Sequence, residues 1–142
     1  MTVQTTRTAR PGLLRRTGVP LGVLAGVAAA FAYVGAVDPN EAGHYPACPL
    51  LSATGLFCPG CGGLRSAHAL VHGDLSGALG ANALAVAGYA LFAVVWAVWV
   101  TRAARGRPLG LVLTRAHLWT LGAVVTVFTV VRNLPLHGFL QP

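Results

Sequence analysis

The sequence predicts an all-α membrane protein with three transmembrane helices and one short helix at the membrane surface. Of its 142 residues, 55% are hydrophobic and only 9% are charged, whereas soluble domains average roughly 45–50% and about 25%. The uncharged residues form long runs that are separated by arginines. Because the 10 basic residues flank these runs and form no continuous basic patch, we do not expect a nucleic-acid partner.

The three predicted spans cover about residues 19–37, 83–100 and 109–131. Thr17–Val37 contains no charge over 21 residues, more than the roughly 17 that a helix needs to cross the hydrocarbon core. The second span carries Trp96 and Trp99 near one end, where an aromatic belt would lie. The third span contains Arg115, whose long side chain we expect to reach the lipid headgroups.

The arginines also predict the orientation of the spans. With residues 1–16 as a basic cytoplasmic tail and residues 17–142 as one integral membrane domain, eight arginines lie inside and two, Arg65 and Arg132, lie outside. This positive-inside bias places the N-terminus in the cytoplasm and the C-terminus outside a bacterial plasma membrane. The lipid bilayer is therefore the main expected partner.

A cleaved signal peptide is the alternative interpretation of the first span, because Ala30-Phe31-Ala32 resembles a small-residue cleavage site. Against cleavage, small residues recur every four positions, at Gly18, Gly22, Gly26 and Ala30. Such a stripe is typical of a retained helix that packs against a neighbour.

The longest polar segment, residues 38–80, is predicted to form an extracytoplasmic loop followed by a short helix. Its first part is rich in residues that break helices. From Leu64 to Ala78, apolar residues recur at three- and four-residue steps, which predicts a helix that lies in the outer interface or partly re-enters the membrane. Gly73-Asp74 would break or kink this helix.

Cys58-Pro-Gly-Cys61 is the most specific local motif. Two thiols three positions apart, just before a helix, lie where the helix dipole stabilises a thiolate, so Cys58 and Cys61 form a candidate redox pair. Because the predicted topology places them in an oxidising compartment, we expect at least one of them in a disulfide. Both Cys48–Cys58 and Cys58–Cys61 are open as pairings, and Cys48 is the expected free thiol.

A zinc site is the second interpretation of this motif, with Cys58, Cys61 and His68 as ligands. His72 lies too far along the helix, about 13.5 Å from its start at roughly 1.5 Å per residue. The alternative is that both histidines share a polar helix face with Arg65. No cofactor other than zinc is expected, and the sequence lacks the motifs of phosphate-binding enzymes, zinc proteases and serine hydrolases, which favours a non-enzymatic protein.

The two outer arginines require negatively charged partners. Asp74 is predicted to pair with Arg132, which ends the third span, because Asp74 and Arg65 fall on opposite faces of a continuous helix. The alternative is that Arg65 and Arg132 each bind a phosphate headgroup.

Four motifs follow one another between Ala47 and Pro135: Cys58-Pro-Gly-Cys61-Gly-Gly-Leu-Arg65, His72-Gly73-Asp74, Asn82 and Arg132-Asn133-Leu134-Pro135. In this order they resemble the signature of a family of small bacterial membrane proteins, domain of unknown function 2752. The resemblance implies an integral membrane protein and adds no established activity. The positions that match are Cys58, Cys61, Arg65, Asp74, Asn82 and Arg132. The chain departs from the family at Leu64, where the family often has Thr, and at Ala83, where it often has Pro.

Two functional hypotheses follow. The first is a non-enzymatic membrane component whose extracytoplasmic Cys, Arg and Asp side chains form a docking surface for lipid or for a membrane or extracytoplasmic protein. The alternative is a thiol–disulfide or metal-handling membrane protein that uses Cys58 and Cys61.

Overall fold

The residues that the structure describes form five helices and no strand. The computed structural model describes residues 12–41 and 43–134. Its helices are α1 (Leu13–Ala36), α2 (Pro49–Thr54), α3 (Gly63–Val71), α4 (Leu75–Ala104) and α5 (Arg115–Asn133). The predicted all-α class is therefore confirmed. Most of the basic N-terminal tail and the motif residue Pro135 lie outside the described residues.

Helices α1 and α4 are the two described helices that are long and apolar enough to cross a membrane. Helix α1 contains 24 residues, and α4 contains 30 residues with a break at Asn82. At roughly 1.5 Å per residue, α1 is about 36 Å long and residues 83–104 of α4 extend about 33 Å. Large apolar side chains of α4, among them Leu91, Phe92 and Val94, are exposed. By length and composition, the chain has two candidate membrane spans.

The prediction of three spans is not supported, because among the described helices only α1 and α4 are apolar enough over a sufficient length, whereas α5 carries an arginine near each end. Helix α5 begins at Arg115 and has 19 residues, whereas the expected start was Leu109. Gly110 adopts a positive φ of 65°, a conformation that interrupts a regular helix. The backbone N–H of Thr114 then donates to Nδ1 of His117 at 3.2 Å, which fixes the start of α5 after this turn.

Helices α1 and α4 run antiparallel and pack against each other. Near one end of the pair, Trp96 Nε1 donates to the carbonyl oxygen of Pro20 at 2.8 Å. Farther along, the rings of Phe31 and Tyr89 meet edge to face with their centroids 5.2 Å apart. Aromatic side chains of both helices therefore form much of this contact.

The glycine stripe of α1 does not pack within the described part of the chain, contrary to expectation. A Cβ placed on Gly18, Gly22 or Gly26 would meet, within 4 Å, no atom beyond its chain neighbours and the adjacent backbone of its own helix. Helix α4 instead packs on the side of α1 that holds Pro20 and Phe31, roughly opposite to the glycines at about 100° per residue.

Arginines and cysteines lie at opposite ends of the α1–α4 pair. A Cβ built on Gly106 would lie 2.8 Å from Nη1 of Arg16. The start of α1 is therefore next to the end of α4. We call this the arginine end. At the other end, His68 Nδ1 lies 2.8 Å from the carbonyl oxygen of Val34, which attaches α3 to the end of α1. We call the region of α2, α3 and the cysteines the cysteine end.

Helix α4 is broken at Asn82, which has the extended backbone angles φ −165° and ψ 94°. The side-chain Oδ1 of Asn82 accepts the backbone N–H of Ala85 at 2.9 Å, as an N-cap residue does. A second helical segment, residues 83–104, therefore starts at this point. Its start coincides with the predicted start of the second span.

Candidate metal centre

Three cysteine thiols come together at the cysteine end. The Sγ atom of Cys58 lies 3.5 Å from that of Cys48 and 3.1 Å from that of Cys61. All three Sγ atoms lie within 4.8 Å of one another. The cysteines are free thiols, so the structure does not form the disulfide that we expected from the compartment.

The local chain conformation brings these thiols together through two turns. Cys48 is the residue before α2, which starts at Pro49, and Gly55 ends α2 with a positive φ of 72° that turns the chain back. The next turn is closed by the backbone N–H of Cys61, which donates to the carbonyl oxygen of Cys58 at 3.1 Å. A left-handed glycine thus returns the chain so that Cys58 and Cys61 meet Cys48.

The environments of the thiols differ. The pKa of Cys48 is lowered to about 7, chiefly because the backbone N–H of Leu51, in the first turn of α2, stabilises the thiolate and the thiol of Cys58 adds a hydrogen bond. Burial and the adjacent thiols of Cys58 and Cys48 raise the pKa of Cys61 to about 12. The thiol that gains most from a helix N-terminus is therefore Cys48, at α2, rather than a cysteine of the Cys58-Pro-Gly-Cys61 motif at α3.

Asn82 holds the cysteine turn from the opposite side. Its side chain is 2% exposed, and its Nδ2 donates to the carbonyl oxygens of Pro59 and Cys61, both at 2.9 Å. Because the same side chain also caps residues 83–104, one amide couples the break in α4 to the position of the cysteines.

The end of α5 closes the other side of the turn. Asn133 accepts the backbone N–H of Phe57 at 2.8 Å and donates to the carbonyl oxygen of Phe57 at 2.9 Å. Its neighbour Arg132 is 1% exposed and donates from Nη2 to the carbonyl oxygen of Ala81 at 3.0 Å. The guanidinium lies 5.6 Å from the ring centroid of Phe57 and 5.5 Å from that of Phe128.

The structure does not bring Asp74 to Arg132, so the predicted ion pair is wrong. Asp74 is the N-cap of α4, and its carboxylate accepts the backbone N–H of Gly77 and the hydroxyl of Ser76, both at 2.8 Å. These bonds also lower the pKa of Asp74. The cap geometry holds the carboxylate at the exposed start of α4, whereas Arg132 is buried beside the break.

His68 does not join the cysteines either. Its Nδ1 contacts α1, its Nε2 lies 3.9 Å from Oδ1 of Asp38, and its ring lies against His72 with the centroids 4.2 Å apart. The third side chain of the cluster is Cys48, whereas His68 was the expected third ligand. Two of the six positions that match the family motif lie apart, because Arg65 is exposed on α3 and Asp74 caps α4. The other four come together: Cys58, Cys61, Asn82 and Arg132.

Two contributors to the site were missed from the sequence. Cys48 lies outside the Cys-x-x-Cys spacing, and its only signal was that it is the third cysteine of the predicted outer loop. Asn133 was noted only as part of a terminal motif. The sequence left Cys48 open as a disulfide partner of Cys58 but did not identify it as a metal ligand, and the contact of Asn133 with Phe57 depends on the approach of α5.

A cavity of about 760 Å³ adjoins the thiols. All three cysteines line it, together with Arg65 and Glu41 among others. A thiophilic metal ion held by the cysteines would therefore have open space on one side, where water or a small ligand fits.

These features define a helical protein with two candidate membrane spans and a cluster of three thiols that could hold a metal ion. Residues 48–96 match the family model described as Protein of unknown function (DUF2752), which confirms the resemblance for about a third of the chain. The matching segment begins at Cys48 and contains Cys58, Cys61 and Asn82, whereas Arg132 lies beyond it. No curated protein and no solved structure matches the chain.

Proposed function

We propose that this chain is a metal-handling membrane protein whose Cys48, Cys58 and Cys61 bind a thiophilic divalent ion such as Zn²⁺ on the extracytoplasmic side. The carrying observation is that the three Sγ atoms lie within 4.8 Å of one another. Sulfur ligands about 2.3 Å from a tetrahedral zinc ion lie about 3.8 Å apart. The observed separations of 3.1 and 3.5 Å around Cys58 need only small side-chain movements to reach that geometry.

Metal binding accounts for the cluster better than a redox pair does. A disulfide would join two of the sulfur atoms at about 2.05 Å and leave the third without a role, whereas one metal ion uses all three. Soft thiolate ligands favour zinc and other thiophilic ions. With three protein ligands and the cavity beside them, the fourth coordination position is open, as in sites that exchange a ligand.

The docking-surface hypothesis has less support. It required the outer Cys, Arg and Asp side chains to form one surface, but Arg65 projects from α3 and Asp74 is used as a helix cap. Arg132, which is 1% exposed, offers no surface to a partner. Of the two arginines that were expected outside, only the exposed Arg65 is accessible to a phosphate headgroup.

The membrane arrangement is part of the proposal. Arginines at one end of the α1–α4 pair favour a cytoplasmic arginine end and an extracytoplasmic cysteine end. Helix α5 follows the arginine end along the chain, yet its last residue, Asn133, binds Phe57 at the cysteine end. If residues 83–104 cross the bilayer, α5 must cross it in the reverse direction, so its shorter helix serves as a third crossing.

Cobalt binding tests the proposed metal site. The full chain, purified in detergent with its thiols reduced, is titrated with Co²⁺, and we expect one equivalent to produce a sulfur-to-cobalt charge-transfer band and the visible bands of tetrahedral cobalt. Zn²⁺ should displace the cobalt. Replacing Cys48, Cys58 or Cys61 by Ser should each weaken binding at least about tenfold, as loss of even an outer-shell partner typically does.

His68→Ala is the matched control, because it removes a metal-ligating side chain that contacts α1 instead of the thiols. This variant should bind Co²⁺ within about twofold of the unaltered chain. Absence of a charge-transfer band in the unaltered chain, or unchanged binding by Cys48→Ser, would show that the three thiols are not a metal site.

A further inference from the structure

Arg132 is a buried cation that has no direct anionic partner among the residues that the structure describes. Its Nη2 atom binds one carbonyl oxygen, while Nε and Nη1 have no hydrogen-bond partner among the described residues. The side chain is 1% exposed, so solvent does not supply the missing contacts. Burial of a charge is costly unless an opposite charge lies nearby.

The acidic side chains do not provide that charge. The chain has three acidic side chains, and each is engaged elsewhere. Asp38 accepts from Asn40 at 2.8 and 2.7 Å, Glu41 lies 3.8 Å from His44, and Asp74 caps α4. None of them forms an ion pair with Arg132 in the described part of the chain.

The cysteine turn is the part of the chain beside which Arg132 is buried. The guanidinium lies 5.6 Å from the ring centroid of Phe57, and Phe57 directly precedes Cys58. Asn133 fixes the backbone at Phe57 by two hydrogen bonds. The position of Arg132 relative to the cysteine turn is therefore set by the protein and does not depend on a flexible side chain at a surface.

We infer that Arg132 is the counter-charge of the metal–thiolate centre, an inference that rests on the proposed function. Three thiolates and one divalent ion carry a net charge of −1, and the guanidinium brings the buried assembly to neutrality. Without Arg132, the loaded centre is left with a net charge next to apolar rings. Arg132 is thus a positioning residue that stabilises the loaded state from outside the ligand set.

Two replacements of Arg132 separate its charge from its hydrogen bonds. Arg132→Gln keeps a donor that can reach a carbonyl oxygen but removes the charge, whereas Arg132→Lys keeps the charge and loses the planar guanidinium. We expect the Gln variant to bind Co²⁺ at least about tenfold more weakly and the Lys variant to bind within about threefold of the unaltered chain.

The charge-transfer band supplies a readout that a purely structural role would not move. A nearby cation stabilises the sulfur electrons that are transferred to cobalt, so the band should shift to longer wavelength in Arg132→Gln and keep its position in Arg132→Lys. Arg65→Gln is the matched control, because Arg65 is an exposed arginine that lines the cavity beside the thiols, and both affinity and band position should be unchanged.

Three outcomes overturn the inference. One is a Gln variant with unaltered affinity and band position. Another is a Lys variant that keeps its helical circular dichroism yet loses binding as the Gln variant does, because charge would then not be the property that matters. If the unaltered chain itself binds no Co²⁺, the proposed function fails and this inference fails with it.

Discussion

At the cysteine end several of the most deeply buried side chains are polar, whereas along the long helices many of the exposed side chains are apolar. Ser66, Asn82 and Arg132 are among the most deeply buried side chains, and each donates to a backbone carbonyl oxygen. In the second segment of α4, by contrast, Leu91 is 63% exposed and Val94 is 62% exposed. This exposure of apolar side chains inverts the usual soluble pattern in the two helices that are candidate membrane spans, whereas the cysteine end has a polar centre.

Asn82→Ala should have the largest effect on this arrangement. The substitution leaves the carbonyl oxygens of Pro59 and Cys61 and the N–H of Ala85 without their partner, at about 1–3 kcal/mol for each buried group. We expect the free energy of unfolding to fall by about 4 kcal/mol and Co²⁺ binding to weaken with it. Denaturant unfolding in detergent, followed by circular dichroism, measures the change.

Asn40→Ala is the matched control for that substitution, because Asn40 is exposed and its side chain binds only the neighbouring Asp38. A loss of at most about 0.5 kcal/mol is expected for such a surface position. Equal losses at Asn40 and Asn82 would remove the distinction between a structured polar centre and an ordinary surface loop.

Leu91→Lys tests the lipid-facing half of the comparison. In the middle of a spanning helix, a lysine disfavours membrane insertion by about 2.5–3.5 kcal/mol, so we expect a large decrease in the membrane-inserted fraction. Leu56→Lys is the control, because Leu56 is 51% exposed but lies in the loop at the cysteine end. If both variants insert equally well, as exposed positions of a soluble protein would allow, then α4 does not face lipid.

Acid titration should give the smallest effect, at Asp74. Its carboxylate has a pKa below the ordinary value of 3.8 because the N–H of Gly77 and the hydroxyl of Ser76 stabilise the charged form. Stabilisation from this cap is therefore complete above the unfolded-state pKa and is lost as the pH falls through the lower folded-state pKa. The variant Asp74→Asn keeps a cap acceptor but does not titrate. The difference in unfolding free energy between this variant and the unaltered chain should therefore be constant above about pH 4 and change only below it.

The sequence predicted those features of the fold that depend on hydropathy. Long uncharged runs located α1 and the second segment of α4, whose start after Asn82 agrees with the predicted start of the second span. Ala83 illustrates the physics of this boundary, because it occupies the first helical position after Asn82, where a proline, often present in the resembling family, is well tolerated. The start of α5 was misplaced because Leu109–Leu113 is apolar, and hydropathy does not register the left-handed turn at Gly110.

The candidate site was predictable only where its residues are close in sequence. Cys58 and Cys61 were evident from their spacing, whereas the third thiol comes from Cys48, through a turn that spacing does not reveal. Charge complementarity suggested Asp74 as the partner of Arg132, but the unsatisfied N–H groups at the start of α4 bind that carboxylate first. The partner of Asp74 is therefore determined by hydrogen bonds within its own helix start, which charge complementarity alone does not predict.

The paired hydrogen bonds between Asn133 and Phe57 also set an order of events during synthesis. These two residues are separated by 76 positions, so the cysteine turn acquires its final support only after nearly all of the described chain has been translated. Arg132 arrives at the same moment, since it is the adjacent residue. A chain truncated before α5 would therefore form the cysteine turn without the hydrogen bonds of Asn133 and without the guanidinium of Arg132.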